Sequence, residues 1–338
     1  MEVQNLTADQ ILGVKYPGDL FTNDITTAKK EYHVLLKLWH PDVNKTVLAG
    51  EVSKRITELF QDAITLLENG KWETTGQIEV GTNSHKFRIR YKKHSKFELG
   101  DMYIGDRIVS YIIDTPNNDL FANYKYQSEH FKFASDSMKE EFTKYLPHME
   151  KVFEADIKLG LVIAKTPDLL PLRDVLNYFG GKLDPRHVAW IMSGLHNITC
   201  YLEWAGLSHN DISLDTYFIS PKYHSGALLG GWWYTSNIGK KLNAVPNRTY
   251  QYMPMEVRKT KISSIKTDLE LIRVVGRELL GDVTGTRLKQ NEEVPKPLIN
   301  WLVLPSPTGS AIKDYGLWDK VLTDSFGPRK FVKMEIIA

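Results

Sequence analysis

The chain has 338 residues, 42% hydrophobic and 11% aromatic, with Cys200 as its one cysteine. Lysine and arginine number 43 against 41 aspartates and glutamates, a formal net charge of +2. This composition excludes a disordered polyelectrolyte, a disulfide framework and a zinc site of several cysteines, and it provides no global basic field for nucleic acid.

The length predicts two domains rather than one. Met1 to Gln10 lacks a basic start followed by an apolar core, so no secretory leader is expected, and apolar runs such as Leu159 to Ala164 are too short to span a bilayer. The expectation is a soluble, cytoplasmic protein. In chain order, Ala28, Tyr32, Leu35, Leu36 and Trp39 recur at helical spacing, with Lys29, Lys30, His33 and Lys37 on other faces. Val52, Ile56, Leu59, Phe60, Ala63, Leu66 and Leu67 mark the apolar stripe of another helix. Between the two runs Leu38-Trp39-His40-Pro41-Asp42-Val43-Asn44. Pro41 disfavours a helical conformation at His40 and lacks a backbone N–H, so the first helix should stop there. The prediction is a helical hairpin whose loop presents an imidazole, a proline ring and a carboxylate. Gly70 is the expected cap of the second helix, within Asn69-Gly70-Lys71-Trp72.

This arrangement resembles the J domain of DnaJ-type co-chaperones over roughly Leu6 to Trp72. The likeness includes Gln10-Ile11-Leu12-Gly13-Val14 as a short opening helix and Arg55 to Ala63 inside the third helix. It implies docking on a DnaK-type chaperone and stimulation of its ATPase. The family's essential tripeptide maps onto His40, Pro41 and Asp42. Its basic docking face maps onto Lys29, Lys30 and Lys37, with Lys45 beside them. The sequence departs from the family in a longer first loop, Lys15 to Thr26, and in a less basic second helix.

Beyond the link, 74–76, the period changes. Lys86-Phe87-Arg88-Ile89-Arg90-Tyr91 alternates as a half-buried strand does, and Phe97 to Leu99 and Arg107 to Ile113 are further strand candidates. Thr115-Pro116-Asn117-Asn118-Asp119 reads as a turn feeding a helix, with Leu120, Phe121, Tyr124 and Phe131 facing inward. Phe153 to Asp156 and Leu159 to Ala164 return to strand character. From Asp184-Pro185 helices dominate. Val188, Ile191, Met192, Leu195, Ile198, Thr199 and Leu202 form one long stripe ending near Gly206.

Then follow His209-Asn210-Asp211, Leu228-Leu229-Gly230-Gly231-Trp232, Met253-Pro254-Met255-Glu256 and Asp268. Their order and spacing resemble the protein-kinase fold. They stand at the positions of the His-Arg-Asp loop, the Asp-Phe-Gly strand, the Ala-Pro-Glu segment and the buried aspartate of the central helix. The whole implies an all-α J-domain hairpin (1–73) followed by an α+β, two-lobed kinase-like domain (77–338). The small lobe would span about 77–166 and the large lobe about 167–338. Leu172 to Leu176, Gly181 to Arg186 and His224 to Tyr234 also resemble bacterial chains that join a J domain to a degenerate kinase-like domain.

Phosphoryl transfer relies on positioning and on charge neutralisation by metal, so each position must be tested for its chemistry. The magnesium-holding carboxylate is replaced by Gly230 or Gly231, and the second metal ligand by Thr216. The phosphate-gripping lysine falls on Tyr111 in the preferred alignment, with Tyr124 replacing its glutamate partner. The other alignment puts Lys125 there. The stretch Gly100-Asp101-Met102-Tyr103-Ile104-Gly105, at the glycine loop, brings acid and bulk near the phosphates. His209 and Asp211 survive as vestigial catalytic candidates, and retention of Asp211 for the fold is the favoured reading. The expectation is a pseudokinase with no metal and no required cofactor, ATP binding being doubted.

Trp232-Trp233-Tyr234 is expected as buried packing at a lobe junction rather than a ligand platform. His85, His94, His130 and His148 are too scattered for a metal site. The basic run from Lys86 to Lys96 reads as a solvated strand face. The tail from Gly327 to Ala338 could add a strand. The expected function is a co-chaperone whose partners are a DnaK-type chaperone and a protein client, without nucleic acid or membrane. The alternatives are a divergent active kinase with an appended J domain, or a decoy that modulates the chaperone.

Overall fold

The computed structural model describes residues 6–14, 17–22, 24–68, 76–81, 86–155 and 157–336. The ends assigned to the hairpin domain (69–73), most of the link at 74–76, the Gly70 cap, Trp72 and His85 lie outside the described residues. Two compact units emerge: Met1–Ser95 with Tyr103–Gly105, and Lys96–Met102 with Asp106–Ala338.

In the first unit a short helix α1 (Ala8–Leu12) precedes α2 (Ile25–Trp39) and α3 (Ala49–Glu68). Thr7 starts α1 with a capping box, and the Asp24 carboxylate starts α2 by accepting from Thr27 N at 2.7 Å. Ala28 and Leu35 of α2 and Val52, Ile56, Leu59 and Ala63 of α3 are buried in one core with Ile11, Leu20 and Phe21. Burying a leucine or isoleucine side chain of this kind contributes roughly 1.5–3 kcal/mol. Tyr32 stacks on Phe60 with ring centroids 4.1 Å apart, and the Arg55 guanidinium donates to Val14 O from Nη2 at 2.6 Å. Strands β1 (Gly76–Gly81) and β2 (Lys86–Tyr91) pair antiparallel. Arg90 Nη1 donates to Gly18 O at 2.8 Å, which ties this ribbon to the loop after α1. These strands therefore belong with the helices in the first unit, whereas the sequence reading set the division at 74–76.

Strands β3 (Lys93–Phe97), β4 (Gly100–Ile104), β5 (Ile108–Asp114), β6 (His148–Ala155) and β7 (Lys158–Ala164) form one sheet in the order β3-β4-β5-β7-β6. Two expectations change here. Glu98-Leu99 is the turn of a hairpin rather than strand, and Gly100 to Ile104 is a strand rather than a loop. Gly100 is needed because a Cβ there would lie 2.1 Å from Ile112 O, so the neighbouring strand's approach demands it, not a phosphate.

The second unit continues with α4 (Asn118–Glu129) and α5 (Asp136–Thr143), the latter with no counterpart in the sequence reading. Phe121 and Tyr124 are buried as expected, while Leu120 and Phe131 are only half-buried. Next come β8 (Leu170–Pro171), α6 (Leu172–Tyr178) and α7 (Pro185–Ala205), the last started by Asp184 and stopped by Gly206 at φ +78°. That left-handed stop suits glycine. After β9 (Leu207–Ser208), the hairpin β10 (Tyr217–Ser220) and β11 (Ser225–Leu228), and β12 (Ser236–Asn237) come α8 (Asn247–Tyr252), α9 (Met255–Thr260) and α10 (Ile265–Leu279). The last two are α11 (Lys296–Val303) and α12 (Ala311–Phe326). Helices α10 and α12 pack on α7. Arg273 of α10 and Asp314 of α12 form a fully buried ion pair at 2.9 Å, with the guanidinium carbon 3.9 Å from the centre of the Trp301 ring.

The tail has no strand among its described residues; Phe331 stacks instead on His224 at 4.1 Å. The basic run is largely exposed, as a solvated face is, and some of its side chains have partners. Arg88 pairs with Glu79 at 2.8 Å, Arg90 serves Gly18, and His94 stacks on Tyr103 at 4.6 Å.

Candidate functional site

The α2–α3 loop is fixed by its own backbone. His40 takes an extended conformation (φ −66°, ψ 135°), as a residue before proline should, while its N–H still closes α2 onto Leu36 O. Val43 N and Asn44 N both donate to His40 O, at 2.9 and 2.8 Å. Asn44 bridges the bend, donating from Nδ2 to Leu38 O at 3.1 Å and accepting from Thr46 N at 3.0 Å. Lys45 Nζ donates to Pro41 O at 3.2 Å. The His40 ring accepts the Asp42 N–H at Nδ1 (3.2 Å), so in the neutral ring the proton sits on Nε2. The side chains of His40 and Asp42 are 50% and 87% exposed, open to a partner. Lys29, Lys30 and Lys37 are exposed along α2.

In the second unit, Asp268 organises the loop that follows β9. Its buried carboxylate accepts His209 N at 2.7 Å, Asn210 N at 2.8 Å and Ser208 Oγ at 3.0 Å. Burial pushes its pKa up to about 6 against the opposing effect of these donors. Asn210 sits at φ +64°, a left-handed conformation that asparagine tolerates. Its Nδ2 donates inward to Tyr234 O at 2.9 Å and Ser236 Oγ at 2.8 Å. The buried His209 faces Gly230 O through Nε2 at 3.0 Å and accepts the Asp211 N–H at Nδ1. Nε2 is thus the donor of a neutral ring, in keeping with a pKa lowered to about 3 by burial. Burial likewise holds the Asp211 carboxyl well above the usual range; Arg248 opposes this, and Asp215 and Glu98 add to it. Thr216 spends its hydroxyl within the loop, donating to Asp211 O at 2.7 Å and accepting Ser213 N at 2.9 Å.

Gly230 and Gly231 lie against this loop. A Cβ on Gly231 would meet His209 Cε1 at 2.5 Å and Asp211 Oδ2 at 2.9 Å, and its φ is +81°. One on Gly230 would lie 2.8 Å from the Tyr111 hydroxyl. The space a metal-holding side chain would need is therefore filled. Gly231→Asp is expected to destabilise the unit by about 2 kcal/mol and to bring no magnesium-dependent nucleotide binding, as read by urea unfolding and by thermal shift.

Tyr111 occupies the position assigned to the phosphate-gripping lysine. It is buried, and its hydroxyl has no hydrogen-bond partner among the described residues. Tyr124 of α4 donates its hydroxyl to Leu229 O. Both phenols are held neutral by burial. Trp233 packs against Tyr124 (4.3 Å between centroids), Tyr111 (5.5 Å), Phe97 (6.0 Å) and Phe121 (6.3 Å). Asn123 Nδ2 holds the turn bearing Trp233 by donating to Trp233 O at 2.9 Å and Thr235 O at 2.8 Å. At the tip of the β3–β4 hairpin, Glu98 accepts Asn247 Nδ2 at 2.8 Å and the Tyr234 hydroxyl at 3.4 Å. The hairpin is thereby tied to the segment after Gly231. Glu256, expected at the Ala-Pro-Glu position, pairs at the surface with Lys266 at 2.9 Å. The residues present do not fit a magnesium nucleotide. At the positions expected from the sequence for the lysine and the carboxylate stand a phenol and a glycine with no room for a Cβ, and aromatic rings pack on that phenol. The sequence points to Tyr111, Tyr124, Gly231 and the buried Trp233 but not to the parts played by Phe97, Glu98 and Asn123. Their only signal was the aromatic run at Trp232 to Tyr234.

No family model matches the chain, and no curated protein matches it. Solved structures do. The BubR1 kinase domain is similar at 14% identity and a TM-score of 0.52, over 73% of this chain and 83% of that one. Vaccinia related kinase 3 is similar at 13% identity and a TM-score of 0.52, over 73% of this chain and 90% of that one. At such identities the likeness is one of fold: the chain contains a protein-kinase-like domain.

Proposed function

We propose that the chain is a co-chaperone of the J-domain type in which a kinase-like domain serves as scaffold or client-binding module. What supports the first half is the exposed His40 and Asp42 pair at the rigid end of a helical hairpin, beside the exposed Lys29, Lys30 and Lys37. The lysines would steer a DnaK-type ATPase domain into place, and the tripeptide would make the specific contacts. What supports the second half is the ring cluster that packs Tyr111 and Tyr124 on Trp233, with Gly230 and Gly231 leaving no room for a metal-holding side chain. The test is single-turnover ATP hydrolysis by a DnaK-type chaperone with the chain added. Stimulation of tenfold or more is expected, reduced to the basal rate by His40→Gln, which leaves the fold unchanged because the ring is exposed. Equal stimulation by both forms sinks the proposal.

A second reading, a divergent kinase, is favoured by one observation: His209 and Asp211 remain on a loop anchored by Asp268. Transfer of labelled phosphate from magnesium ATP to a protein, lost in Asp211→Asn, would establish it. The decoy reading differs from the first only in failing to refold a client alongside the chaperone.

A further inference from the structure

Between Ile238 and Ser263 lie Lys240, Lys241, Arg248, Arg258, Lys259 and Lys261 against one acid, Glu256. Two chain segments bring most of these cations together. Ser263 N donates to Lys240 O at 2.7 Å, Leu242 N to Lys261 O at 2.8 Å, and Lys241 bridges Ile262, so Lys240 and Lys241 run beside Lys261 and Ile262. On α9, Met255, Arg258 and Lys259 share a face at i, i+3 and i+4. Glu256 is already neutralised by Lys266. Among the described residues no carboxylate pairs with Lys240, Lys241, Lys259 or Lys261, all of them exposed.

Lys261 adds an independent observation. It ends α9 at φ +57°, where the backbone alone would select glycine. Its ammonium instead lies 4.9 Å from the centre of the Tyr250 ring, and the Arg258 guanidinium lies 4.8 Å from the same centre. A strained lysine is thus kept in a cluster of like charges. Apolar side chains are interleaved with these charges: Met255 is 59% exposed and Ile262 41%.

We propose that this face docks an acidic segment of a partner protein, one carrying apolar side chains between its carboxylates. Carboxylates answer the unpaired ammoniums, and the apolar side chains cover Met255 and Ile262. A nucleic acid fits less well. Tyr250, the aromatic side chain of this patch, is engaged by two cations and is not available for stacking on a base, and a phosphate backbone leaves Met255 and Ile262 uncovered. This surface is independent of the hairpin loop, so the proposal stands or falls apart from the co-chaperone reading.

The test is fluorescence anisotropy on the full chain with three probes: a short labelled peptide of repeated Glu-Glu-Leu, a glutamate-only peptide of equal length, and a single-stranded oligonucleotide of matched charge. The Glu-Glu-Leu peptide is expected to bind tightest and to weaken about tenfold in the double variant Lys259→Gln, Lys261→Gly. Lys261→Gly alone is expected to weaken binding while the melting temperature stays or rises, because glycine relieves the left-handed backbone. That result separates binding from folding. Unchanged peptide binding in the double variant overturns the proposal. So does tighter binding of the oligonucleotide or equal binding of the glutamate-only peptide.

Discussion

Asp268→Ala is expected to cost the kinase-like unit about 4 kcal/mol, measured by urea unfolding followed in the near-ultraviolet circular dichroism of its tryptophans. The carboxylate accepts two backbone N–H groups and one hydroxyl, all buried. Hydrogen bonds to a charged acceptor contribute about 1.5–3 kcal/mol each, and alanine leaves all three donors without a partner. Against this stands relief of an ion buried at some expense. The rise in pKa to about 6 from 3.8 corresponds to roughly 3 kcal/mol at neutral pH. The lost donors win. Asp268→Asn retains one carbonyl acceptor and should fall between the two. A cost below about 1 kcal/mol for the alanine variant would show that the loop from Ser208 to Asp211 is held by something else.

The second large effect is acid unfolding. His209 and His196 are both fully buried, and burial lowers each from 6.5 to about 3. For His196 the Asp314 carboxylate opposes that shift and the Arg273 guanidinium adds to it. Below pH 6.5 the unfolded chain takes up protons that the folded one refuses, so this stability is present above 6.5 and drains away as the pH falls toward 3. Each histidine loses about 1.4 kcal/mol per pH unit across that window. Asp268 acts in the opposite sense between about 6 and 3.8, since there the folded state holds the extra proton. Asp211, raised by burial, acts in the same sense as Asp268, and within this balance His196 alone contributes a loss of about 1.4 kcal/mol per pH unit between pH 6 and 4. His196→Phe should cancel it. His196 lies among Trp301, Tyr315 and Trp318 with neither ring nitrogen hydrogen-bonded among the described residues, so phenylalanine suits the site and should also stabilise the unit at neutral pH. Urea unfolding at several pH values compares the two slopes. Parallel slopes would mean that His196 takes up its proton in the folded protein as readily as in the unfolded chain.

What the sequence disclosed, and what it hid, follows the range of each interaction. The helical hairpin was legible because its determinants are local: Val52, Ile56, Leu59 and Ala63 recur at one spacing and all are buried, and Pro41 ends α2 where it must. The strand containing Tyr111 was legible as a candidate over Arg107 to Ile113 ahead of the turn at Thr115 to Asp119, and it runs Ile108–Asp114. The glycine loop misled because Gly100 has two possible causes, a phosphate or a crowding strand, and only the packing against Ile112 tells them apart. Helix α5 escaped because Asp136 to Thr143 buries none of its side chains, so no stripe marks it. The packing of Phe97, Tyr111, Phe121 and Tyr124 on Trp233 was invisible for a different reason. These residues come from separate elements, and no pattern along the chain links them.

A kinase opens its jaws to admit one nucleotide and release another, and that stroke is part of every turnover. Here the jaws are glued at the back by Trp233 and latched at the front by Glu98 to Tyr234 and Asn247. Opening such jaws here would have to part the Trp233 ring cluster and both Glu98 hydrogen bonds, so any hinge motion carries their cost.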